Sequence, residues 1–486
     1  MAPRLRALIA CAAAAPFVSD ARGSRSIDRR ELATAADVWA GELAARGVPP
    51  GARVLLDVGD PLAFAVAHLS VVAAGRCSAP VDPGAPPAEA ARTRTVVAPA
   101  LVLTDRPDRP GALVTRGGLP AAPVGSPSRT DAGPGSVLLL TSGSTGAPKA
   151  VELTEAQCLH VAHAVAAHHR LRPADRGFCP LPLFHVNAQV VGLLATLVSG
   201  GELVLDRRFH RTGFWDLLLR REVTWVNAAP AIVTILARHP EEPVVAPRLR
   251  FVRSASAPLP PPVRDLFVAR TGVAVVESYG MTEAASQITA TALDEPHRPG
   301  SVGLPVGVEL QVVDDVGRRC PPGVIGRVRI RGAGVITAYA GGAAAARFDR
   351  DGWLDTADLG ELDAEGHLYL SGRADDVVNR GGELVYPREV EEVLLGDPAV
   401  VEAVVAGRPH DVLGTVPVAL VRTGRDQPLD VVERLVDRLE ERCAEELAPF
   451  KRPVEIRVVE RFPVGPTGKV RRAAVREGLT AEVAVS

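Results

Sequence analysis

Aromatic residues are scarce in this chain, only 4% of its 486 residues. No stretch reaches the ~20 consecutive apolar residues of a membrane-spanning helix, so no such helix is expected. Cysteine is sparse as well: Cys11, Cys77, Cys158, Cys179, Cys320 and Cys443 are scattered, with neither metal-like pairs nor a dense framework. That spacing argues against a disulfide scaffold or a zinc module and predicts reduced thiols in a cytoplasmic protein. Long blocks of one charge sign are also missing, and the net charge is -2, so nucleic acid is not an expected partner. At the start, Arg4 and Arg6 precede the run LIACAAAAP, which has the outline of a secretory signal. The run is short and alanine-rich, and it predicts the first helix of a folded domain.

What the chain does have is 47% hydrophobic and 23% charged residues, the balance of a globular protein. Its length exceeds what one hydrophobic core usually serves, so two or three domains are expected. The Ala-, Arg-, Gly- and Pro-rich composition points to a GC-rich bacterial source. Apolar runs at Arg53 to Val58, Ala100 to Thr104, Val137 to Thr141, Val223 to Asn227, Leu249 to Arg253 and Val273 to Glu277 read as strands. Helical patterns occupy Leu32 to Arg46, Glu155 to His169, Gly213 to Arg221 and Pro261 to Arg270. This alternation predicts an α/β fold with mainly parallel sheets. The Pro- and Gly-dense segment Asp105 to Ser136 reads as irregular connection. From 303 to 370 short strands alternate with Gly-Pro and Asp-Gly turns, predicting a small β-rich subdomain. Beyond it an α+β pattern begins, with an amphipathic helix expected over Asp430 to Ala448.

The most informative segment is TSGSTGAPK at 141–149, which follows the apolar run Val137 to Leu140. Hydroxyls and exposed backbone N–H groups can donate to a polyphosphate, glycines permit close approach, and Lys149 adds a positive charge. The spacing is not that of a P-loop: Gly146 is followed by Ala147, Pro148 and Lys149, and then by Ala150.

This segment resembles the nucleotide-phosphate loop of the adenylate-forming superfamily, which includes acyl-CoA synthetases. Further signatures follow in the family's order: LPLFH at 181–185, SYGMTE at 278–283, GWLDTADLG at 352–360, SGRADD at 371–376 and PTGK at 466–469. The stretches FWDLLLRREVTWV, RFVRSASAPL and VVNRGGELVYP look most like free-standing acid–CoA ligases of the oxalyl-CoA synthetase subgroup. The resemblance implies an N-terminal domain over 1–374 holding the acid and nucleotide sites. It also implies a mobile α+β C-terminal domain over 375–486, hinged at Asp375. A carrier-protein domain is not expected, and a homodimer remains open.

The resemblance also implies site roles. Lys469 is the catalytic lysine of the adenylation step. Thr282 contacts the α-phosphate, and Glu283 holds Mg2+ against the phosphates. Thr141, Ser142, Gly143, Ser144, Thr145, Gly146 and Lys149 surround the ATP phosphates. Ala255, Ser256, Ala257, Glu277, Ser278, Tyr279, Gly280 and Met281 line the nucleotide pocket. Asp358 accepts from the ribose hydroxyls, with Arg373 beside it. Gly381 and Gly382 line the CoA tunnel, and Arg380, Arg408, Lys451 and Arg452 are candidate contacts for the CoA phosphates. Two departures stand out: the family usually carries Gly where this chain has Ala357 and Ala150, so each adds a methyl where the backbone can pass close to nucleotide.

By the same resemblance, His185 in LPLFH matches a catalytic position between acid and thiol tunnel, where amino-acid-activating members carry Asp. Without that Asp an ammonium group would be buried unpaired, so an α-amino acid is disfavoured. Asn187, Ala188, Asn227, Ala228 and Ala229 are the expected acid-pocket residues, small enough to admit a mainly apolar acid. Arg253 is the one obvious cation among the pocket segments, and strand-end arginines commonly serve structure. The expected activity is an ATP-dependent acid–CoA ligase passing through an acyl-adenylate, with ATP, Mg2+ and coenzyme A required. Its alternatives are a single retained half-reaction, transfer to a carrier protein or amine, and a non-catalytic acyl or nucleotide binder.

Overall fold

The structure, a computed structural model, describes residues 4–10, 15–109, 111–129, 132–141, 149–238, 246–342, 345–424, 434–464 and 470–483. Its largest sheet has a parallel centre. Ala274–Tyr279, Phe251–Ala255, Trp225–Ala228, Arg176–Cys179, Glu202–Leu205 and Pro16–Asp20 lie side by side in that order. Antiparallel edges are added by Ser26–Asp28 on one side and by Thr289–Ala290 with Leu304–Pro305 on the other. A second sheet runs in the order Leu119–Pro120, Leu113–Arg116, Leu101–Thr104, Arg53–Asp57, Cys77–Pro80, Ser136–Thr141 and Lys149–Thr154. Strands buried on both faces need no polar alternation, which is why they stand out in the sequence as continuous apolar runs.

The helices between these sheets share one apolar core with them. Leu32, Trp39 and Leu43 of helix Arg29–Ala45 belong to the same buried cluster as Val54, Leu139, Val161, Leu205 and Phe251. Helix Arg29–Ala45 starts at a capping box: the Asp28 carboxylate accepts from the Glu31 N–H, and the Glu31 carboxylate accepts from the Asp28 N–H. Helix Pro61–Ala73 is buried along almost its whole length. Leu5–Ala10 is helical, as expected for a first helix, and buries Leu5 and Ile9 in the main core. The 105–136 segment is not wholly irregular, because Thr115 and Arg116 pair with Pro120 and Leu119 in a short hairpin.

The β-rich subdomain is an antiparallel sheet of Glu309–Val313, Gly326–Arg331, Leu354–Leu362 and Leu368–Arg373. Beyond it, Val378–Arg380, Glu383–Val385, Val400–His410, Gly414–Thr423 and Glu455–Val458 form a separate sheet. Pro387–Leu395, Leu435–Glu446 and Arg472–Val483 pack on it around apolar clusters drawn from this part of the chain alone. No helix among the described residues is long and apolar enough to cross a membrane. The five described cysteines are unpaired, and Cys11 lies outside the described residues.

Candidate active site

Several of the expected site residues lie at the carboxyl ends of the central parallel strands, the usual place for ligands in such sheets. Asn227 and Ala228 close one strand, and Ala229 caps the helix Pro230–Ala237 that follows. Ala255 ends the next strand, with Ser256 and Ala257 exposed just past it. Ser256 has φ +84°, a strained conformation for a residue with a side chain. Tyr279 ends the third strand, followed by Gly280, Met281 and the short turn Thr282–Ala284. Gly280 is compulsory, because a Cβ there would lie 1.6 Å from the carbonyl oxygen of Ser286. Met281 packs against the main core, while Asn187 and Ala188 begin a buried π-helix, Asn187–Leu194. His185 lies beside Phe184, with ring centroids 4.3 Å apart and the ring planes tilted by 58°.

A cluster of charged and hydroxyl groups assembles where the β-rich subdomain meets the Tyr279 strand. The Tyr279 hydroxyl donates to Asp358 Oδ2 at 2.5 Å, and Arg373 Nη1 donates to Asp358 Oδ1 at 3.2 Å. Burial pushes the Asp358 carboxyl above its ordinary value, offset in part by Arg373 and by the Tyr279 hydroxyl. Beside it, the Tyr339 hydroxyl donates to Glu283 Oε1 at 2.7 Å, and Arg347 Nη1 donates to the Tyr339 oxygen at 2.5 Å and lies 3.5 Å from the same carboxylate. Lys149 Nζ sits 5.7 Å from the centroid of the Tyr339 ring, and Thr141 Oγ1 donates to the Lys149 carbonyl at 3.4 Å. Charge couples the two halves, since Arg347 acts on Asp358 and Arg373 acts on Tyr339.

Tyr339 and Arg347 were not singled out from the sequence. Arg347 follows the alanine run Ala343 to Ala346, which carries no motif. Ser142, Gly143, Ser144, Thr145, Gly146 and Lys469 lie outside the described residues. The side chain of Ser278 is turned into the sheet, where it accepts from Arg253 Nη2 and donates to the Thr289 carbonyl. Glu277 faces Arg264 at 3.5 Å, with Arg388 and Glu392 of the C-terminal helix Pro387–Leu395 close enough to shift its titration.

The donor set around Glu283 suits magnesium only in company with phosphate. One carboxylate is too few for an all-protein cage, but one or two carboxylates with phosphate and water make a common Mg2+ shell. Among the described residues, the one grouping of three metal-type side chains is Asp363, Glu365 and His367, in a turn of the β-rich sheet.

Two expectations change in their physical reason. Ala357 has φ +61°, so the glycine usual at this position is explained by left-handed backbone as well as by space. Ala357→Gly is expected to stabilise the fold by ~1 kcal/mol, measured as a higher midpoint in thermal or urea unfolding. Ala150 pairs with Leu140 inside a regular strand and carries no such strain. Gly381 and Gly382 form the two-residue turn between Val378–Arg380 and Glu383–Val385, at φ +64° and +100°. A tight hairpin needs glycine there whatever passes beside it. The four candidate CoA-phosphate contacts are all engaged within the C-terminal part. Arg380 donates to the Phe450 carbonyl, Arg408 pairs with Glu455, Lys451 pairs with Glu389, and Arg452 donates to the Leu447 carbonyl.

Burial pushes the Glu277 carboxyl up to about 7 from 4.5, with Arg264 opposing. The folded protein therefore holds this proton more tightly than the unfolded chain, and stability falls as pH rises from about 4.5 through about 7. Glu277→Gln is expected to flatten that slope. In thermal melts the variant gains ~2 kcal/mol over the parent at pH 8 and nothing at pH 4.5.

The family model described as "AMP-binding enzyme" matches residues 7–340, and "AMP-binding enzyme C-terminal domain" matches 389–469. The chain belongs to the AMP-binding enzyme family. It is 40% identical over 339 residues to a sulfoacetate–CoA ligase of Cupriavidus necator, covering 69% of this chain and 65% of that protein. It is 35% identical to an oxalate–CoA ligase of Saccharomyces cerevisiae, covering 70% of this chain and 62% of that one. The chain thus spans a little under two thirds of the length of these two relatives. Its fold superposes on ATP-bound MatB from Rhodopseudomonas palustris with a TM-score of 0.86 at 28% identity, over 98% of this chain and 99% of that one.

Proposed function

We propose that this protein is an ATP-dependent acid–CoA ligase of the cytosol. A carboxylate oxygen of the acid attacks the α-phosphorus of ATP, and the bond to pyrophosphate breaks. The CoA sulfur, having lost its proton, then attacks the acyl carbon of the adenylate, and AMP leaves. The observation that carries this reading is the meeting of two groupings at one strand end: Tyr279, Asp358 and Arg373, and Glu283, Tyr339 and Arg347. The first suits a ribose, with an acceptor-only carboxylate facing two hydroxyl donors. The second suits the phosphate end, where Glu283 would hold Mg2+, which neutralises charge on the departing pyrophosphate. Lys149 and, by the family's motif, Lys469 add positive charge there. The proposed domain boundary at Asp375 would let the C-terminal part present Lys469 in one half-reaction and the Gly381–Gly382 turn in the other.

The test is pyrophosphate release from ATP across a panel of carboxylic acids, with and without CoA. Acid-dependent release, joined by AMP and an acyl-CoA mass when CoA is added, is the expected result. If no acid releases pyrophosphate while synthetic acyl-adenylates plus CoA still give thioester, only the second half-reaction is retained. If neither occurs, the ligase reading fails.

A further inference from the structure

The phosphate end of the site holds a cation that no sequence motif marks. Arg347 closes the short turn Ala345–Arg347. Its Nε and Nη2 both donate to the Asp355 carbonyl, on the strand Leu354–Leu362 that also carries Asp358. Its Nη1 donates to the Tyr339 oxygen at 2.5 Å and stands 3.5 Å from Glu283 Oε1. Asp355 and Tyr339 thus take three of the five N–H groups and fix the plane of the fork. The second hydrogen of Nη2 meets no acceptor among the described residues, and the side chain keeps 20% of its surface open. An arginine serving only to balance a carboxylate makes short, paired contacts with it. Glu283 instead takes its short bond from Tyr339, at 2.7 Å, and answers the guanidinium only at long range.

Tyr339 is shared by two cations. Lys149 Nζ lies 5.7 Å and Arg347 Cζ 5.8 Å from the centroid of its ring, within cation–π range. Lys149 ends the 141–149 motif and pairs with Thr141 at the base of that hairpin. The ring therefore ties Arg347 to the segment whose composition fits a polyphosphate, while the Asp355 carbonyl ties it to the strand of the ribose carboxylate. Burial and the Glu283 charge push the Tyr339 hydroxyl above its ordinary value, so it remains a donor to Glu283. A nucleotide with its ribose on Asp358 and its phosphates toward Lys149 would bring the phosphate chain to the open edge of this guanidinium.

We propose that Arg347 is a catalytic residue of the adenylation step, donating to the β- and γ-phosphates of ATP and to the pyrophosphate that departs. This rests on the ligase reading and adds a residue to it. As a carboxylate oxygen of the acid bonds to the α-phosphorus, the bond from that phosphorus to the bridging oxygen breaks. The electron pair of the broken bond stays with pyrophosphate. A guanidinium already fixed by Asp355 and Tyr339 meets that growing charge without reorganising, which is where a donor contributes most to rate. Its part ends when pyrophosphate leaves, because attack of the CoA sulfur on the acyl carbon releases AMP alone.

The experiment separates the two half-reactions in Arg347→Met and Arg347→Lys. Acid-dependent pyrophosphate release is expected to fall about 30-fold in Arg347→Met, mainly in kcat, and to recover in part in Arg347→Lys, which restores charge without the fork. Thioester formation from a synthetic acyl-adenylate and CoA is expected to change less than about threefold, which also shows that the variants fold. The loss is expected to persist at saturating magnesium, where a defect caused by a displaced Glu283 would be relieved. Calorimetry with magnesium pyrophosphate alone and with AMP alone needs no acid. There Arg347→Met is expected to weaken pyrophosphate about tenfold and to leave AMP unchanged. Equal loss in both half-reactions, or a loss abolished by added magnesium, would make Arg347 a structural or positioning residue and overturn the proposal. Unchanged pyrophosphate release and affinity in Arg347→Met would also overturn it and leave the ligase reading intact. Pyrophosphate affinity that depends on Arg347, in a protein that converts no acid, would uphold the phosphate seat while the ligase reading alone fails.

Discussion

Replacing Asp358 with asparagine is expected to lower kcat/KM for ATP by a factor on the order of 100, with most of the loss in KM. The carboxylate is positioned by two strands, its own and that of Arg373, and it already accepts from the Tyr279 hydroxyl and from Arg373. A ribose would offer it hydroxyl donors of the same kind as Tyr279. Hydrogen bonds to an ionised acceptor contribute about 1.5–3 kcal/mol each, and an amide of the same shape weakens such bonds and turns an N–H toward Arg373. Because a ribose is held alike in ground and transition states, the loss belongs mainly to binding. Steady-state kinetics with ATP varied, together with AMP binding by calorimetry, would check this. A change of less than about threefold in both would remove Asp358 from the nucleotide site.

Glu283→Gln is expected to be more damaging, cutting acid-dependent pyrophosphate release by ~10³ at low magnesium and by less as magnesium is raised. Glu283 is 6% exposed and is fixed by Tyr339 at 2.7 Å and Arg347 at 3.5 Å, so it cannot swing to find a different ligand position. Glutamine keeps the shape but loses the charge that balances Arg347 and would hold the cation. Tyr339→Phe removes the positioning hydroxyl alone, and a milder loss of about tenfold with the same magnesium dependence is expected. A Glu283→Gln defect unaffected by magnesium would count against its role in holding the metal.

The two predictions draw on features of unequal visibility in the sequence. Parallel strands such as Arg53–Asp57 and Phe251–Ala255 were legible because burial on both faces makes them continuous apolar runs. Helix Arg29–Ala45 showed its pattern because one side meets solvent. Helix Pro61–Ala73 was not read, since burial all round erases helical periodicity. The π-helix Asn187–Leu194 was hidden for the same reason. Asp358, Glu283 and Arg373 could be named from their motifs, but Tyr339 and Arg347 could not, because what distinguishes them is their contact with Glu283. Arg253 illustrates the limit most clearly. It was noticed as a cation, and the four neutral acceptors that hold it, Asn187, Asn227, Ser278 and Gln287, are brought to it only by the fold. The raised Glu277 likewise depends on Arg264, Arg388 and Glu392, far apart along the chain.

Helix Arg472–Val483 returns to the proposed boundary at Asp375. Arg476, on helix Arg472–Val483, donates to the Asp375 carbonyl, and its guanidinium lies 3.5 Å from Asp376. Arg472 lies 3.9 Å from Asp376 and pairs with Glu391 at 2.7 Å. A stretch whose proposed entry is tied to a helix about a hundred residues further on, with apolar clusters of its own between them, would have the anatomy of an exchangeable cassette. Recombination can cut both ends at one place on the surface and splice in a homologous piece without stretching either junction. Under the proposed boundary at Asp375, the part before it and the part carrying the Gly381–Gly382 turn would thereby be free to diversify at different rates.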